Sequence, residues 1–357
     1  MINDIQEIIQ SLNNYVLAEN LVNIMEVCGT HTMSISRHGI RQLIPEKINL
    51  ISGPGCPVCV TSANDIDILL EIVDRYDVTV FTFGDMLRVP GTRSSLYTKK
   101  SEGRDINICY SPADALDFAI KNPQRNVIFV AIGFETTIPL TSVIVKRARQ
   151  KKISNFYIYN THKLIPEALE SLLNNKNVKI DAFLCPGHVS AIIGSRPYNF
   201  IAKKYHIPCV ISGFEPYDIL ESIIMIMDQI QRKKPYVENQ YRRVVREEGN
   251  PEAVKLINEV FEKVDSNWRG LGIISNSGLR LREKFLKFDA KINFPVKKVI
   301  SREPPGCECG DVLKGLKKPY ECRLFSRVCK PENPIGPCMV SSEGSCAAYY
   351  KYEKEKL

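Results

Sequence analysis

The sequence predicts an α/β protein built on two parallel sheets, and three observations lead there. Short apolar, β-branched runs recur through the middle of the chain and end in Gly-containing turns. Helical periodicity fills the gaps between them, and the turn motifs repeat at a long offset. The runs are INLISGPG (48–55), VTVFTFGD (78–85), VIFVAIGFE (127–135), FYIYNTH (156–162), DAFLCPGHV (181–189) and PCVISGFE (208–215). Such runs suit strands covered by helices on both faces. ANDIDILLEIVDRY and SPADALDFAIKN carry helical spacing and start at residues suited to N-capping. The Pro-Gly turn at 54–55 is echoed at 186–187, and FGD at 83–85 by GFE at 213–215. That offset of about 130 residues predicts two similar α/β domains facing each other, with ligands and reactive groups at the carboxyl ends of their strands.

After about residue 235 the pattern changes. ENQYRRVVREEGNPEAVKLINEVFEKV reads as a turn and an amphipathic helix, and WRGLGIISNSGLRL as a short strand and turn. From Glu303 the chain fills with Pro, Gly and Cys, and regular structure is expected to stop until a short helix near SEGSCAAYYKY. A segment so poor in apolar periodicity needs another source of order, and a metal centre can supply it.

With 357 residues and 44% hydrophobic content, the chain has room for two or three domains and a core that needs no disulfide staples. No apolar run approaches the roughly 18 to 20 residues that span a bilayer. The opening MINDIQEIIQSLNN is polar and amphipathic, without an apolar signal core, so a cytoplasmic location is expected. A net charge of +8 is modest, and Lys and Arg are scattered among acids rather than gathered in a basic stripe. That pattern argues against a nucleic-acid partner.

Twelve cysteines are the anomaly, and in a cytosolic chain they argue for metal or redox chemistry. Cys109, Cys185 and Cys209 stand alone in apolar surroundings and read as small buried hydrophobes. Six others, from Cys307 to Cys346, are separated by gaps of one, twelve, six, eight and seven residues. Four thiolates can hold a [4Fe–4S] cluster or a zinc ion; the missing C-x₂₋₄-C knuckles favour the cluster and leave zinc as the alternative. In GPGCPVCVT (53–61), Cys56 and Cys59 follow a strand and open a helix, a context that resembles a thioredoxin-like redox pair. The other reading is half of a zinc site completed by Cys28 or His31. In MEVCGTHT (25–32), Gly29 allows a sharp turn, so that Cys28 and His31 could share one cavity as nucleophile or soft metal ligand. Asp85, Arg88, Glu135, His162, His188 and Glu215 fall at strand ends and read first as loop hydrogen-bonders. No Walker-type Gly-x-x-x-x-Gly-Lys loop is present.

Taken together, MEVCGTHT, GPGCPVCV, FGDMLRVPG, GFETT, CPGHVS, GFEP, ENQYRRVV, WRGLG and MVSSEGSCAAYY closely resemble the HypD family of [NiFe] hydrogenase maturation proteins, over nearly the whole chain. Thr30 is a small departure, at a position where other members can carry Gly. The family's cluster pattern, C-x₁₂-C-x₆-C-x₁₆-C, falls on Cys309, Cys322, Cys329 and Cys346 and leaves out Cys307 and Cys338. The resemblance implies a scaffold for the Fe(CN)₂CO unit, with the iron held by Cys28 and a cysteine of the small chaperone HypC in a stable complex. HypE would deliver cyanide transiently. Cys56 and Cys59 would exchange electrons or protect the site, with the [4Fe–4S] cluster as source, and His31 could hydrogen-bond a cyanide nitrogen or tune the thiolate. The implied fold is two Rossmann-like domains, at 25–145 and 146–235, plus an iron–sulfur domain from the chain ends, 1–24 and 236–357. The rival function is a self-contained iron–sulfur thiol–disulfide oxidoreductase, and whether the scaffold turns over as an enzyme stays open.

Overall fold

The six apolar runs all form strands, and they are buried as their composition demands. In the computed structural model, which describes residues 5–15, 21–297 and 299–354, nine strands make two parallel sheets. They are β1 (Val22–Glu26), β2 (Ile48–Ser52), β3 (Val78–Thr82), β4 (Ile106–Ile108), β5 (Asn126–Ala131), β6 (Phe156–Asn160), β7 (Ala182–Pro186), β8 (Cys209–Ser212) and β9 (Val237–Asn239). The first sheet runs β2-β1-β7-β8-β9 and the second β4-β3-β5-β6. A hairpin, β10 (Phe261–Trp268) with β11 (Gly272–Leu281), completes the strands.

Both parallel sheets start at an inner strand, add the next on one side, then cross to the other, which is the Rossmann-like pattern. Each therefore has a switch point where neighbouring loops diverge, between β1 and β7 in the first sheet and between β3 and β5 in the second. The sheets do not follow the sequence halves 25–145 and 146–235. Strands β3 to β6 are inserted whole between β2 and β7, and β1 pairs in register with both β2 and β7. The two motif echoes differ in what they relate. Pro54-Gly55 and Pro186-Gly187 close strands β2 and β7 of the same sheet, whereas FGD at 83–85 follows β3 of the second sheet and GFE at 213–215 follows β8 of the first.

Helices start where the side chains can cap them. Ser62 accepts from the Asp65 amide at 3.1 Å to open Ala63–Arg75. Ser111 and Asp114 form a capping box for Pro112–Lys121, and Asn250 accepts from the Ala253 amide at 3.1 Å to open Pro251–Val260.

The chain ends also differ from expectation. Helix Ile5–Asn13 buries Ile8 and Leu12 in the core of the first sheet, beside Ile219 and Ile223 of helix Pro216–Gln231, rather than joining the cysteine-rich tail. Helix Pro251–Val260 packs on Ile138–Gln150 and β11 on Ile165–Leu173, so this stretch covers the second sheet. The cysteine-rich part proper begins near Glu303. It is not wholly irregular, since Cys309–Leu313 is a short helix ahead of Ser345–Tyr352. Cys185 and Cys209 are fully buried as expected, but they are not solitary: their Sγ atoms lie 3.0 Å apart on adjacent strands.

The hairpin end ties these parts together. The Arg269 amide donates to Val60 O at 2.8 Å and its Nε to Thr61 O at 2.8 Å. A side chain at Gly270 would meet the Cα of Gly310 at 2.3 Å, so the backbones there touch. Trp268, fully buried, stacks on Phe134 at 6.0 Å and donates from Nε1 to Ser277 Oγ at 2.7 Å. Trp268→Ala is expected to destabilise the fold by about 3–5 kcal/mol through the cavity it leaves. Urea unfolding followed by circular dichroism measures it, since this is the only tryptophan in the chain.

Candidate thiol and metal site

Residue Cys28 lies just past the carboxyl end of β1, at the switch point of the first sheet, and is the N-cap of helix Gly29–Arg37. Its sulfur faces the backbone amides of Thr30 and His31 and the Thr30 hydroxyl, all of which favour a thiolate. Burial outweighs them, and the charge of Glu343 adds to it, so the thiol is pushed up to about 12. In the protein alone Cys28 is a protonated thiol. A bound cation would displace that proton.

Two glycines set the position of this cysteine. A side chain at Gly55 would lie 2.3 Å from the Cys28 amide nitrogen, and one at Gly29 would lie 2.4 Å from Glu343 Cβ. The Gly29 amide donates to Gly55 O at 3.0 Å. The CPVC turn follows at once, with Cys56 as N-cap of the one-turn helix Pro57–Val60 and disulfide-bonded to Cys59. Cys59 Sγ is 3.7 Å from the carbonyl oxygen of Pro337, in the cysteine-rich tail.

The tail also reaches Cys28 directly. Thr30 Oγ1 donates to Glu343 Oε1 at 3.0 Å across 313 residues. Burial raises the Glu343 carboxyl and the charge of Asp85 raises it further, while the Thr30 hydrogen bond lowers it. Asp85 follows β3 at the second sheet's switch point, so a charge from that sheet's edge acts on Glu343. Beneath Cys28, Glu26 is fully buried. It accepts from Thr32 Oγ1 at 2.6 Å, and burial pushes its carboxyl up to about 7. Sequence reading missed both acids. Glu26 stood in plain view within MEVCGTHT, but nothing local marks Glu343.

His31 is buried, and its Nε2 lies 2.8 Å from Gly213 O, to which it can only donate. Burial holds the ring down at about 4, so it is neutral and Nδ1 carries a lone pair without a partner among the described residues. The loop that supplies this carbonyl is braced. The Gly213 amide donates to Gln240 Oε1 at 3.1 Å, and Phe214 stacks on His188 at 3.9 Å. Of the lesser candidates, Glu215 caps helix Pro216–Gln231, Arg88 donates to Pro331 O at 3.0 Å, and His162 pairs with Asn160 Oδ1 at 2.6 Å.

Cys309, Cys322, Cys329 and Cys346 line one small cavity together with Cys307, walled by Val312, Leu324, Phe325 and Met339. Cys338 is outside the lining, although its thiol contacts those of Cys309 and Cys346. A hydrogen bond from Cys309 draws the Cys307 thiol down to about 7. Thiols converging inside apolar walls fit an iron–sulfur cluster, whose ligands are thiolates.

Fold and site define a cysteine-rich α/β protein in which a buried thiol, a disulfide turn and a thiol-lined cavity are packed together. The family model HypD, described as "Hydrogenase formation hypA family", matches residues 3–353. The chain is 46% identical over 340 residues to the hydrogenase maturation factor HypD of Escherichia coli K12, covering 95% of this chain and 91% of that one. It is 44% identical over 362 residues to HypD of Cupriavidus necator, covering 98% and 96%. A putative hydrogenase expression/formation protein of Methanocaldococcus jannaschii is 45% identical over 351 residues, covering 98% and 97%. The chain belongs to the HypD family of hydrogenase maturation factors.

Two measurements test the electrostatics of this site. Alkylation of Cys28 by iodoacetamide should rise about tenfold per pH unit from pH 7 to 9 without a plateau, because the thiolate fraction is still climbing. A plateau below pH 9 contradicts a raised thiol. Glu26, with a folded value of about 7 against 4.5 unfolded, contributes stability that is complete below 4.5 and is lost as pH rises through about 7. Glu26→Gln should therefore flatten that part of the stability–pH curve, by a span on the order of 3 kcal/mol, in urea titrations across the window.

Proposed function

We propose that this protein is the scaffold on which, with HypC, the Fe(CN)₂CO moiety of [NiFe] hydrogenase is assembled in the cytoplasm. The observation that carries the reading is the meeting of distant segments at Cys28: the CPVC turn through Gly55 and the cysteine-rich tail through Glu343, on which the charge of Asp85 from the second sheet also acts. The iron unit is the cargo. Cys28 gives one thiolate to it and a HypC cysteine the other, which leaves the unit releasable, while HypE delivers cyanide. A soft thiolate suits low-spin iron carrying cyanide and carbonyl.

The protein's own groups prepare this step. The Thr30 and His31 amides hold the sulfur once it ionises. His31 is not a donor to cyanide nitrogen in this reading, because its one proton is committed to Gly213 O; its free Nδ1 can accept a hydrogen bond instead. Cys309, Cys322, Cys329 and Cys346 would hold a [4Fe–4S] cluster, forming with the tail around them an iron–sulfur unit. Bound there, the cluster supplies single electrons. Cys56 and Cys59 exchange electrons with the site or shield it, and Pro337 brings the pair against the tail.

Anaerobic co-purification with HypC followed by infrared spectroscopy tests the assignment. Cyanide and carbonyl stretches are expected on the wild-type complex and absent from Cys28→Ala, which should keep the broad absorbance near about 400 nm. Cys322→Ala should lose that absorbance. Stretches that persist in the Cys28→Ala complex, on iron bound to this protein, would defeat the proposal.

A further inference from the structure

A cavity of about 580 Å³ opens between helix Ile165–Leu173, the segment from Ile193 to Phe200, and helix Pro251–Val260 with the start of β10. It shares no lining residue with the thiol-lined cavity. Its size falls within the range of small-molecule sites, about 300–1,000 Å³. Leu164, Phe200, Val254, Ile257, Phe261 and Leu279 make the wall mainly apolar.

Most charged groups at the wall are already paired. Glu170 pairs with Lys204 at 2.7 Å and Glu262 with Arg280 at 2.6 Å, which leaves Glu135 and Glu167 beside Lys263 and Arg282. Both cations are already engaged. Lys263 Nζ pairs with Glu167 Oε1 at 2.5 Å, and Arg282 Nε donates to the carbonyls of Asn258 at 2.7 Å and Phe261 at 3.1 Å. Glu135 is only 3% exposed; its Oε1 accepts from the Ile165 amide at 3.0 Å, and its Oε2 has no partner among the described residues. Oε2 of Glu167 is likewise buried and unpartnered. A buried carboxyl oxygen left without a partner carries its full desolvation cost, and this wall holds two such oxygens.

We propose that this cavity binds a small primary amine with an apolar body, the ammonium group donating to Oε2 of Glu135 and the body lying against Phe200, Ile257 and Phe261. An anion finds no free cation among the lining residues, since Lys263 and Arg282 are both engaged. A hard dication needs six or more oxygen ligands, which this apolar wall does not offer. Burial pushes the Glu135 carboxyl up to about 8; the Glu135 and Ile165 amides and Lys263 lower it and Glu167 raises it. A bound ammonium would favour the ionised carboxylate, whose proton passes to solvent, and would offset the burial cost by giving it a charged partner.

Calorimetric titration of the full-length protein with 2-phenylethylamine, 2-phenylethanol and 3-phenylpropionate separates the possibilities. The amine is expected to bind at one site at least tenfold more tightly than the alcohol, and the carboxylate not to bind. Glu135→Gln, whose carbonyl can still accept from Ile165, should reduce the amine to the level of the alcohol while leaving the alcohol unchanged, which also reports that the variant is folded. Val254→Trp, filling the cavity from helix Pro251–Val260, should abolish both. Equal affinity for amine and alcohol, an amine affinity untouched by Glu135→Gln, or binding retained in Val254→Trp overturns the proposal.

Discussion

The Gly29 amide donates to the Gly55 carbonyl at 3.0 Å, and that contact fixes where the Cys28 thiol lies relative to the Cys56–Cys59 turn. It exists because neither residue has a side chain. A methyl on Gly55 would strike the Cys28 backbone, and one on Gly29 would strike Glu343. Three segments far apart in sequence therefore meet main chain to main chain, with little play between them. A thiol on a flexible loop could reach the same neighbours, but only by losing conformational freedom each time it did so.

Around that contact the titratable groups share one property: burial holds them uncharged. Cys28 stays a thiol, Glu26 is raised toward neutrality, and His31 keeps a neutral ring with its single proton pointed at Gly213. Charge is thus scarce at the site, although the amides that would stabilise a thiolate are already in place. An incoming cation finds its ligand preorganised and meets little competing charge, and the weak screening of a dry site strengthens the attraction.

Much of the fold was legible because buried parallel strands announce themselves. The runs at 48–55, 78–85, 127–135, 156–162, 181–189 and 208–215 each hold a strand. Strands β1, β4, β9 and β10 escaped notice for physical reasons: VNIME is short and mixed, INI and VEN are three-residue strands at sheet edges, and FEKVDSNW is largely polar and begins inside the run read as an amphipathic helix. Insertion of one sheet into the other could not be read either, since pairing of β1 with β7 links residues about 160 apart without any local signal. At the site, the local motifs around Cys28 and Cys56 were visible as spacing and glycines. Glu343 was not, because its role comes from a contact made across the whole chain, and the His31 tautomer depends on a carbonyl 182 residues away.

The insertion of β3–β6 between β2 and β7 bears on the order in which the molecule can be made. During synthesis the second sheet, residues 78–160, is contiguous and can form while the first still holds only β1 and β2. The first sheet waits for β7 to β9, and helix Ile5–Asn13 waits for helix Pro216–Gln231 before Ile8 and Leu12 are covered. Glu343 and the cysteine-rich segment come later still. Cys28 is translated well before them, yet the contact that closes over it is supplied from that segment, so the thiol stays unenclosed until both sheets have been made.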